Sequence, residues 1–342
     1  MRTIWLAPLV VLGLVGLSVA ACSATPGSSQ FNTGGSGTGV TSADGSGGSG
    51  VGGTNFSGTG VGGSASTGGG SDCTEAAKLI YVLSTDNDLY SFNPLAKAFK
   101  KIGPLGCNTP MQPNSMAVDR DAVAYVNYVE SDPVFGGDTA GAVYKVSTSD
   151  ASCKPTPIQL GDGWFRLGMG FSSDAVMGTA EKLFITGTGA TMGGSSPGLG
   201  RIDLGTNSVV PLGQFTGSLS GQNAELTGTG DARLFGFFTT SPVEVAEIDK
   251  GGAPGMPGKA GSIIMTTKLP KVETPAAWAF SFWGGDFYLY TAPSPATDPN
   301  RTTNVSRYRP SDGTTDPAYM TNIGFTIVGA GVSTCAPVKP PQ

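Results

Sequence analysis

Residues Trp278 to Tyr290 read WAFSFWGGDFYLY, two runs of aromatic and aliphatic residues separated by a tight Gly-Gly-Asp turn. Short apolar runs bounded by turn residues are typical of paired β-strands. Looser copies of this strand–turn–strand pattern occur at 115–126, 168–185 and 225–237. Two further strand-like runs follow each copy, so the unit is a four-stranded meander that recurs about every 50 to 56 residues, as propeller blades do.

The two ends of the repeat region supply one more blade. Phe325 to Gly329 has the pattern of a first strand with nothing after it, whereas the runs that begin at Leu79, Asp88 and Ala98 read as second, third and fourth strands without a first. Joining them closes the ring and removes the exposed sheet edges. The sequence therefore predicts an all-β fold, a five-bladed β-propeller of four-stranded blades, in which the C-terminal innermost strand pairs with the N-terminal strands. An open sandwich is the alternative, but it does not explain why the missing strands complement each other.

Composition supports the all-β prediction and restricts the partners. Charged residues make up 13% of the chain, which contains 54 glycines and 24 prolines, and apolar residues nowhere repeat at helical spacing for three turns. The net charge is −5, and Lys and Arg form no cluster. A nucleic-acid partner is therefore not expected.

The N-terminus has the pattern of an export signal. Arg2 precedes an almost wholly apolar stretch, Ile4 to Val19, which is too short to span a bilayer comfortably. The residues that follow, Leu-Ser-Val-Ala-Ala-Cys at 17–22, resemble the lipobox of bacterial lipoproteins. This resemblance implies that residues 1–21 are a signal peptide and that Cys22 carries acyl chains such as palmitate. An ordinary cleaved signal beside a chance cysteine is the alternative.

The resemblance to lipoproteins also implies a location. Ser23 rather than Asp follows the cysteine, which in such lipoproteins favours the outer membrane, facing either the periplasm or the cell surface. Residues 22–72 are mainly Gly, Ser and Thr with almost no charge, a composition that cannot bury enough apolar surface to fold. We therefore predict a disordered tether at 22–72 that links a membrane anchor to a β-propeller domain at 73–342.

Four cysteines remain once Cys22 is set aside. An even number in an exported chain predicts two disulfides, for which three pairings exist. Cys73 and Cys335 flank the strand connection that the chain termini interrupt, and Cys107 and Cys153 lie in neighbouring blades near their fourth strands. The blade order therefore favours Cys73 with Cys335 and Cys107 with Cys153. A zinc site is the alternative, but the wide spacing and the oxidising compartment argue against it.

The residues available for chemistry are limited. The chain has no histidine, which excludes Ser/His/Asp and Cys/His nucleophilic sites and removes the commonest metal ligand. Carboxylates remain, as in glycosidases. Glu225 lies at the start of an innermost strand, where it is either a hydrogen-bond anchor or a ligand-binding group. Asp119 lies at the end of such a strand and hence at the opposite mouth. We predict no catalytic residue and no metal site.

No cofactor is predicted either. Calcium is the one alternative, because Asp86-Asn87-Asp88 has alternating oxygen ligands and Glu130, Asp132 and Asp138 crowd another loop. A twelve-residue calcium-binding loop with its terminal Glu is missing from the sequence.

Loop lengths locate a candidate ligand site. Connections between second and third strands are long at Val129–Gly141, Thr188–Gly198 and Ala292–Asn304, whereas several connections between first and second strands are tight. In a propeller these long loops emerge where the innermost strands begin, and function gathers on such loops. We therefore expect them to surround the channel mouth and to bind a glycan or a protein through four acidic residues: Glu225, Glu130, Asp132 and Asp138.

The chain as a whole resembles a family of uncharacterised lipoproteins of myxobacteria and related predatory or soil bacteria. The matching segments, beside the lipobox and the tether, are 116–120, 225–231, 283–289 and 327–335. The family brings no known activity, and a fold alone does not define a function. The sequence favours a membrane-anchored, non-catalytic binding or scaffold protein of the cell envelope. The alternative is a carboxylate-based glycan hydrolase that uses the channel mouth.

Overall fold

The computed structural model describes residues 73–132, 136–176, 178–189, 194–251 and 258–341. The predicted signal peptide (1–21), Cys22 and the rest of the predicted tether (22–72) lie outside the described residues. Within them, the helices are two short 3-10 turns, Ala76–Lys78 and Gly217–Leu219. The strands are β1 (Ile80–Ser84), β2 (Asp88–Asn93), β3 (Ala98–Pro104), β4 (Gln112–Val118), β5 (Val123–Ser131), β6 (Asp138–Ser147), β7 (Cys153–Pro155), β8 (Leu167–Ser173), β9 (Glu181–Gly187), β10 (Leu199–Asp203), β11 (Ser208–Gly213), β12 (Ala224–Gly228), β13 (Leu234–Phe238), β14 (Glu244–Ile248), β15 (Ile263–Lys268), β16 (Ala277–Trp283), β17 (Asp286–Ala292), β18 (Asn304–Arg309), β19 (Thr314–Met320) and β20 (Ile327–Val332).

These strands form five antiparallel four-stranded sheets, which are the blades of a propeller. From the inside outwards, blade 1 is β20-β1-β2-β3, blade 2 is β4 to β7, blade 3 is β8 to β11, blade 4 is β12 to β15, and blade 5 is β16 to β19. The predicted fold class and blade count are therefore confirmed. The blade interfaces carry much of the core: rings of Phe280 and Phe282 from blade 5, for example, lie 5.8 and 6.1 Å from those of Phe237 and Phe235 in blade 4.

Ring closure follows the predicted scheme. β20, from the C-terminal end, is the innermost strand of the blade that the N-terminal strands complete, and it pairs with β1 from Ile80↔Val332 to Leu83↔Gly329. The strand begins at Ile327, two residues later than predicted, since Phe325 instead stacks its ring on that of Tyr90 at 4.2 Å. Closure leaves no exposed innermost edge that could pair with another chain.

The innermost strands run parallel to one another around a central channel. Gly168 of β8 lies beside Ala224 of β12, and further along each strand Phe171 lies beside Gly228. A side chain at Gly168 would overlap the carbonyl oxygen of Ala224, so glycine allows these backbones to approach closely. We call the end where the innermost strands begin the entry mouth, and the end where they finish the exit mouth.

Small side chains fill the channel between the two mouths. Small residues of the innermost strands β4, β12 and β16 are almost fully buried: Ser115 0%, Ala117 1%, Thr227 3% and Ala279 0% exposed. The interior of the channel is therefore packed.

Both predicted disulfides are confirmed. Cys73 pairs with Cys335 and Cys107 with Cys153, with Cα atoms 5.8 and 4.9 Å apart. The first bond lies at the exit mouth, where it replaces the missing covalent connection between β20 and β1. The bond therefore holds the N-terminal side of β1 and the C-terminal side of β20 together at this end of the channel.

Candidate functional site

Glu225 is buried at the entry mouth and connects three blades. Its carboxyl, carried by β12 of blade 4, accepts a hydrogen bond from Ser115 Oγ of blade 2 at 2.8 Å and another from the backbone N–H of Met169 of blade 3. Burial raises the pKa of Glu225 well above its usual range, although these two hydrogen bonds and the charge of Arg166 oppose the rise.

Arg166, which the sequence analysis did not single out, is the centre of a polar cluster at the same mouth. Its Nε and Nη2 donate to the two carboxylate oxygens of Asp138 at 3.0 and 2.9 Å, a bidentate pair. Nη1 donates to Asn114 Oδ1 at 2.8 Å, and Nη2 also donates to Ser131 Oγ at 3.1 Å. The Arg166 side chain remains 33% exposed, so the guanidinium is held in place and still accessible.

A second amide fixes the segment that carries Arg166. Asn127 of β5 is fully buried; its Nδ2 donates to Phe165 O at 3.0 Å, and its Oδ1 accepts from Leu167 N–H at 3.0 Å. Asn114 Nδ2 donates to the same Oδ1 at 2.9 Å. Backbone groups on both sides of Arg166 are thus held by hydrogen bonds to Asn127, which fixes the segment that carries the guanidinium.

The connection between β5 and β6 is shorter than predicted. The expected loop from Val129 to Gly141 is wrong, because these two residues pair and the ladder continues to Ser131↔Asp138. Glycine at 141 permits this arrangement, since a side chain there would overlap the backbone of Phe165. The other two predicted loops are confirmed, because β9 ends at 187, β10 begins at 199, β17 ends at 292 and β18 begins at 304.

The structure brings two of the four predicted ligand residues into one cluster. Asp138 binds Arg166, and the charge of Arg166 acts on Glu225. Glu130 is not in a loop as predicted but in β5, where it is exposed. Asp132 follows β5, and its backbone N–H donates to Gly137 O at 2.9 Å.

Asp119, the other acid that the sequence analysis placed on an innermost strand, does not lie beside Glu225. Asp119 lies at the exit end of β4, where its Oδ1 accepts from the backbone N–H groups of Asp121 and Val123 at 3.0 and 2.9 Å. Glycosidases place two carboxyls about 5 to 9.5 Å apart, and Glu225 and Asp119 lie at opposite ends of the channel.

The Asp86–Asp88 segment, the calcium alternative, forms a turn. Asn87 has a φ of 65°, donates through Nδ2 to Leu105 O at 3.2 Å and accepts from the Tyr128 hydroxyl at 2.5 Å. Asp88 pairs with Lys101 at 2.6 Å. Across the described ranges, no group of three His, Cys, Asp or Glu side chains could hold a metal ion.

Glu181 forms a similar three-blade bridge at the exit mouth. Its carboxylate, on β9 of blade 3, accepts from the backbone N–H of Arg120 at 2.9 Å and from Thr334 Oγ1 at 2.7 Å. These partners belong to the β4–β5 turn of blade 2 and to the segment after β20 of blade 1. Burial raises the pKa of Glu181 from 4.5 to about 7, so the group titrates near neutral pH.

The raised pKa of Glu181 makes stability depend on pH. The folded protein binds this proton more tightly than the unfolded chain, so the free energy of unfolding falls as pH rises from about 4.5 to about 7. Glu181→Gln keeps the shape and removes the titration. We expect its urea-unfolding free energy to fall less over this window than that of wild type, by at most about 3 kcal/mol.

Glu75→Gln is the matched control for this pH experiment, since the Glu75 side chain is 90% exposed. It should follow wild type at every pH. If wild type and Glu181→Gln lose the same stability between pH 4.5 and 7, Glu181 does not titrate as the structure indicates.

Fold and site together define the class: a five-bladed β-propeller with a packed channel and a polar entry mouth built from blades 2, 3 and 4. No known family model and no curated protein matches the chain. Among the described residues, there is no helix with the length and apolar character needed to cross a membrane.

Three solved structures are similar to the chain. A protein of unknown function from Bacteroides caccae has a TM-score of 0.33 at 10% identity, over 74% of this chain and 97% of its own. A gluconolactonase from Xanthomonas campestris has a TM-score of 0.37 at 12% identity, over 62% of this chain and 68% of its own. The calcium-binding protein regucalcin from Agrobacterium tumefaciens has a TM-score of 0.37 at 13% identity, over 78% of each chain. The functional argument therefore starts from the site of this chain.

Proposed function

We propose that this protein is a non-catalytic binding protein of the bacterial envelope, anchored through lipidated Cys22, whose entry mouth binds the ligand. The lipobox, the charge-poor segment 22–72 and the resemblance to myxobacterial-type lipoproteins support the anchor. An acylated cysteine with more than one chain holds a protein stably on a membrane. Outer-membrane placement follows from Ser23, as such lipoproteins imply.

The point at which the chain enters the domain supports the choice of mouth. Cys73 is bonded to Cys335 at the exit mouth, so a tether that precedes Cys73 joins the propeller on that side. The entry mouth, at the opposite end of the channel, lies away from this attachment point.

The observation that carries the proposal is the state of Arg166. Contacts with described residues use four of its five N–H groups, on Asp138, Asn114 and Ser131, while a third of the side chain is exposed. A purely structural ion pair has no need of the buried amide network that fixes this segment. A held, accessible guanidinium is suited to recognise an oxygen-rich ligand.

Arg166→Ala tests the proposal, with Arg309→Ala as the control. Arg309 also pairs with an Asp, Asp312 at 3.1 Å, but lies at the opposite end of its blade beside the exit-side turn. On a glycan array probed with the soluble mature chain, we expect the Arg166 variant to lose at least tenfold in binding and the Arg309 variant to match wild type. Equal binding by wild type and a folded Arg166→Ala protein would contradict the proposal.

A further inference from the structure

Lys250 reaches from blade 4 to blade 3 at the exit mouth. It follows β14 by two residues, and its Nζ donates to Ser172 Oγ at 2.9 Å and to Ser173 O. Both serines lie at the exit end of β8 and are fully buried, whereas Lys250 is half-buried. The ring of Phe184 on β9 also contacts the amine, with its centroid 5.9 Å from Nζ. The Lys250 amine is therefore held at one place on the neighbouring blade.

The segment that carries Lys250 is fixed by its own hydrogen bonds. The backbone N–H of Asp249 donates to Ser262 O at 2.8 Å, and the Asp249 carboxylate accepts from the backbone N–H of Gly251 at 2.8 Å. Gly251 has a φ of 81°, a left-handed conformation that glycine adopts without strain. The backbone on both sides of Lys250 is therefore ordered.

The surroundings of this amine weaken its hold on a proton. Burial has the largest effect on Lys250 and lowers its pKa from 10.5 to about 8. The charge of Lys182 acts in the same direction, whereas the charges of Asp174 and Asp231 oppose it. Among the described residues, no carboxylate lies within ion-pair distance of the Lys250 amine, and Asp174 instead pairs with Lys182 at 2.8 Å. At pH 7 about a tenth of the amine is therefore unprotonated, roughly 300 times the fraction of an ordinary lysine.

A neutral amine in this position has a free electron pair. Its two hydrogens can remain on Ser172 Oγ and Ser173 O, so the electron pair points in a third direction, away from both acceptors. A lysine with a lowered pKa and an unengaged electron pair is a nucleophile towards carbonyl carbon. We propose that Lys250 is a covalent modification site of the exit mouth, at which the amine forms a Schiff base with an aldehyde.

The reaction needs only the amine and the aldehyde. The Nζ electron pair forms a bond to the carbonyl carbon, and the π electrons of the C=O bond move to the oxygen, which gains a proton. The oxygen then leaves as water with the two amine hydrogens, and a C=N bond remains. An aldehyde requires no activated donor, whereas acyl transfer to the amine needs a leaving group. This inference is independent of the proposed function, which concerns the other mouth.

The test is reductive alkylation of the soluble mature chain with propionaldehyde and sodium cyanoborohydride at pH 7, followed by peptide mass spectrometry. Cyanoborohydride reduces the Schiff base and so leaves the alkyl group on the lysine that formed it. We expect Lys250 to be alkylated at least about tenfold faster than Lys268, an exposed lysine on β15. Lys182, whose ammonium group pairs with Asp174, is a second internal control and should also react slowly.

Two further measurements connect the reactivity to the folded site. The alkylation rate of Lys250 should level off above about pH 8, where the amine is already unprotonated. In urea, where the contacts with blade 3 are lost, Lys250 should react at the rate of Lys268. The inference is overturned if Lys250 reacts no faster than Lys268 in the folded protein at pH 7. It is equally overturned if the faster reaction of Lys250 persists in urea, because the fold would then not be its cause.

Discussion

The double variant Cys73→Ala/Cys335→Ala is expected to lose about 5.5 kcal/mol of unfolding free energy, measured by urea denaturation. The bond joins residues 262 apart in sequence, and the entropy of closing so long a loop in the unfolded chain sets the magnitude. It also holds β1 and β20 at the only place where a blade is assembled from both chain ends. Since domains are typically stable by about 5 to 15 kcal/mol, the loss is a large fraction of the total.

The second disulfide is the matched control for this experiment. Cys107 and Cys153 are 46 residues apart, so Cys107→Ala/Cys153→Ala should cost about 4 kcal/mol by the same relation. The variant without the Cys73–Cys335 bond must therefore be the less stable of the two. The reverse order would show that the ring does not depend on the bond between its ends.

Replacing Cys22 with Ser, in a chain exported by an ordinary cleavable signal peptide, is expected to move the protein from the membrane to the soluble fraction. Each buried CH₂ of an acyl chain contributes about 0.8 kcal/mol to membrane binding, and the variant carries no acyl chain. Cell fractionation measures membrane association, and labelling with radioactive palmitate measures acylation. Wild type should be labelled and sediment with outer membranes. A Cys22→Ser protein that still sediments with them would refute the anchor.

The fold could be predicted because its signals are local and repeated. The segment Trp278–Tyr290 covers most of the strands β16 and β17 and the turn between them, and the looser copies identified other hairpins. The complementary strand patterns at the two ends of the repeat region predicted both the fifth blade and the Cys73–Cys335 pairing. The ends of strands were harder to predict. The β5–β6 ladder continues to Ser131 and Asp138, and this depends on Gly141, whose missing side chain leaves room for the Phe165 backbone.

The site was predicted only in part, because residues that meet there lie far apart in the sequence. Glu225 was singled out as an acid at the start of an innermost strand, and its three-blade contacts are those of a hydrogen-bond anchor. Arg166 has no local motif, since its partners Asp138 and Asn114 lie 28 and 52 residues away. Its position just before an innermost strand was the one signal that could have identified it.

Footprinting tests the central claim, that the entry mouth is the binding face. The mature protein would be labelled by hydroxyl radicals with and without polysaccharide extracted from the outer surface of the producing cells. We predict protection of peptides that contain Arg166, Glu225 and Trp278, and unchanged labelling at the exit mouth around Glu181 and Thr334. Protection confined to the exit mouth, or a bound polysaccharide that protects neither mouth, would contradict this account.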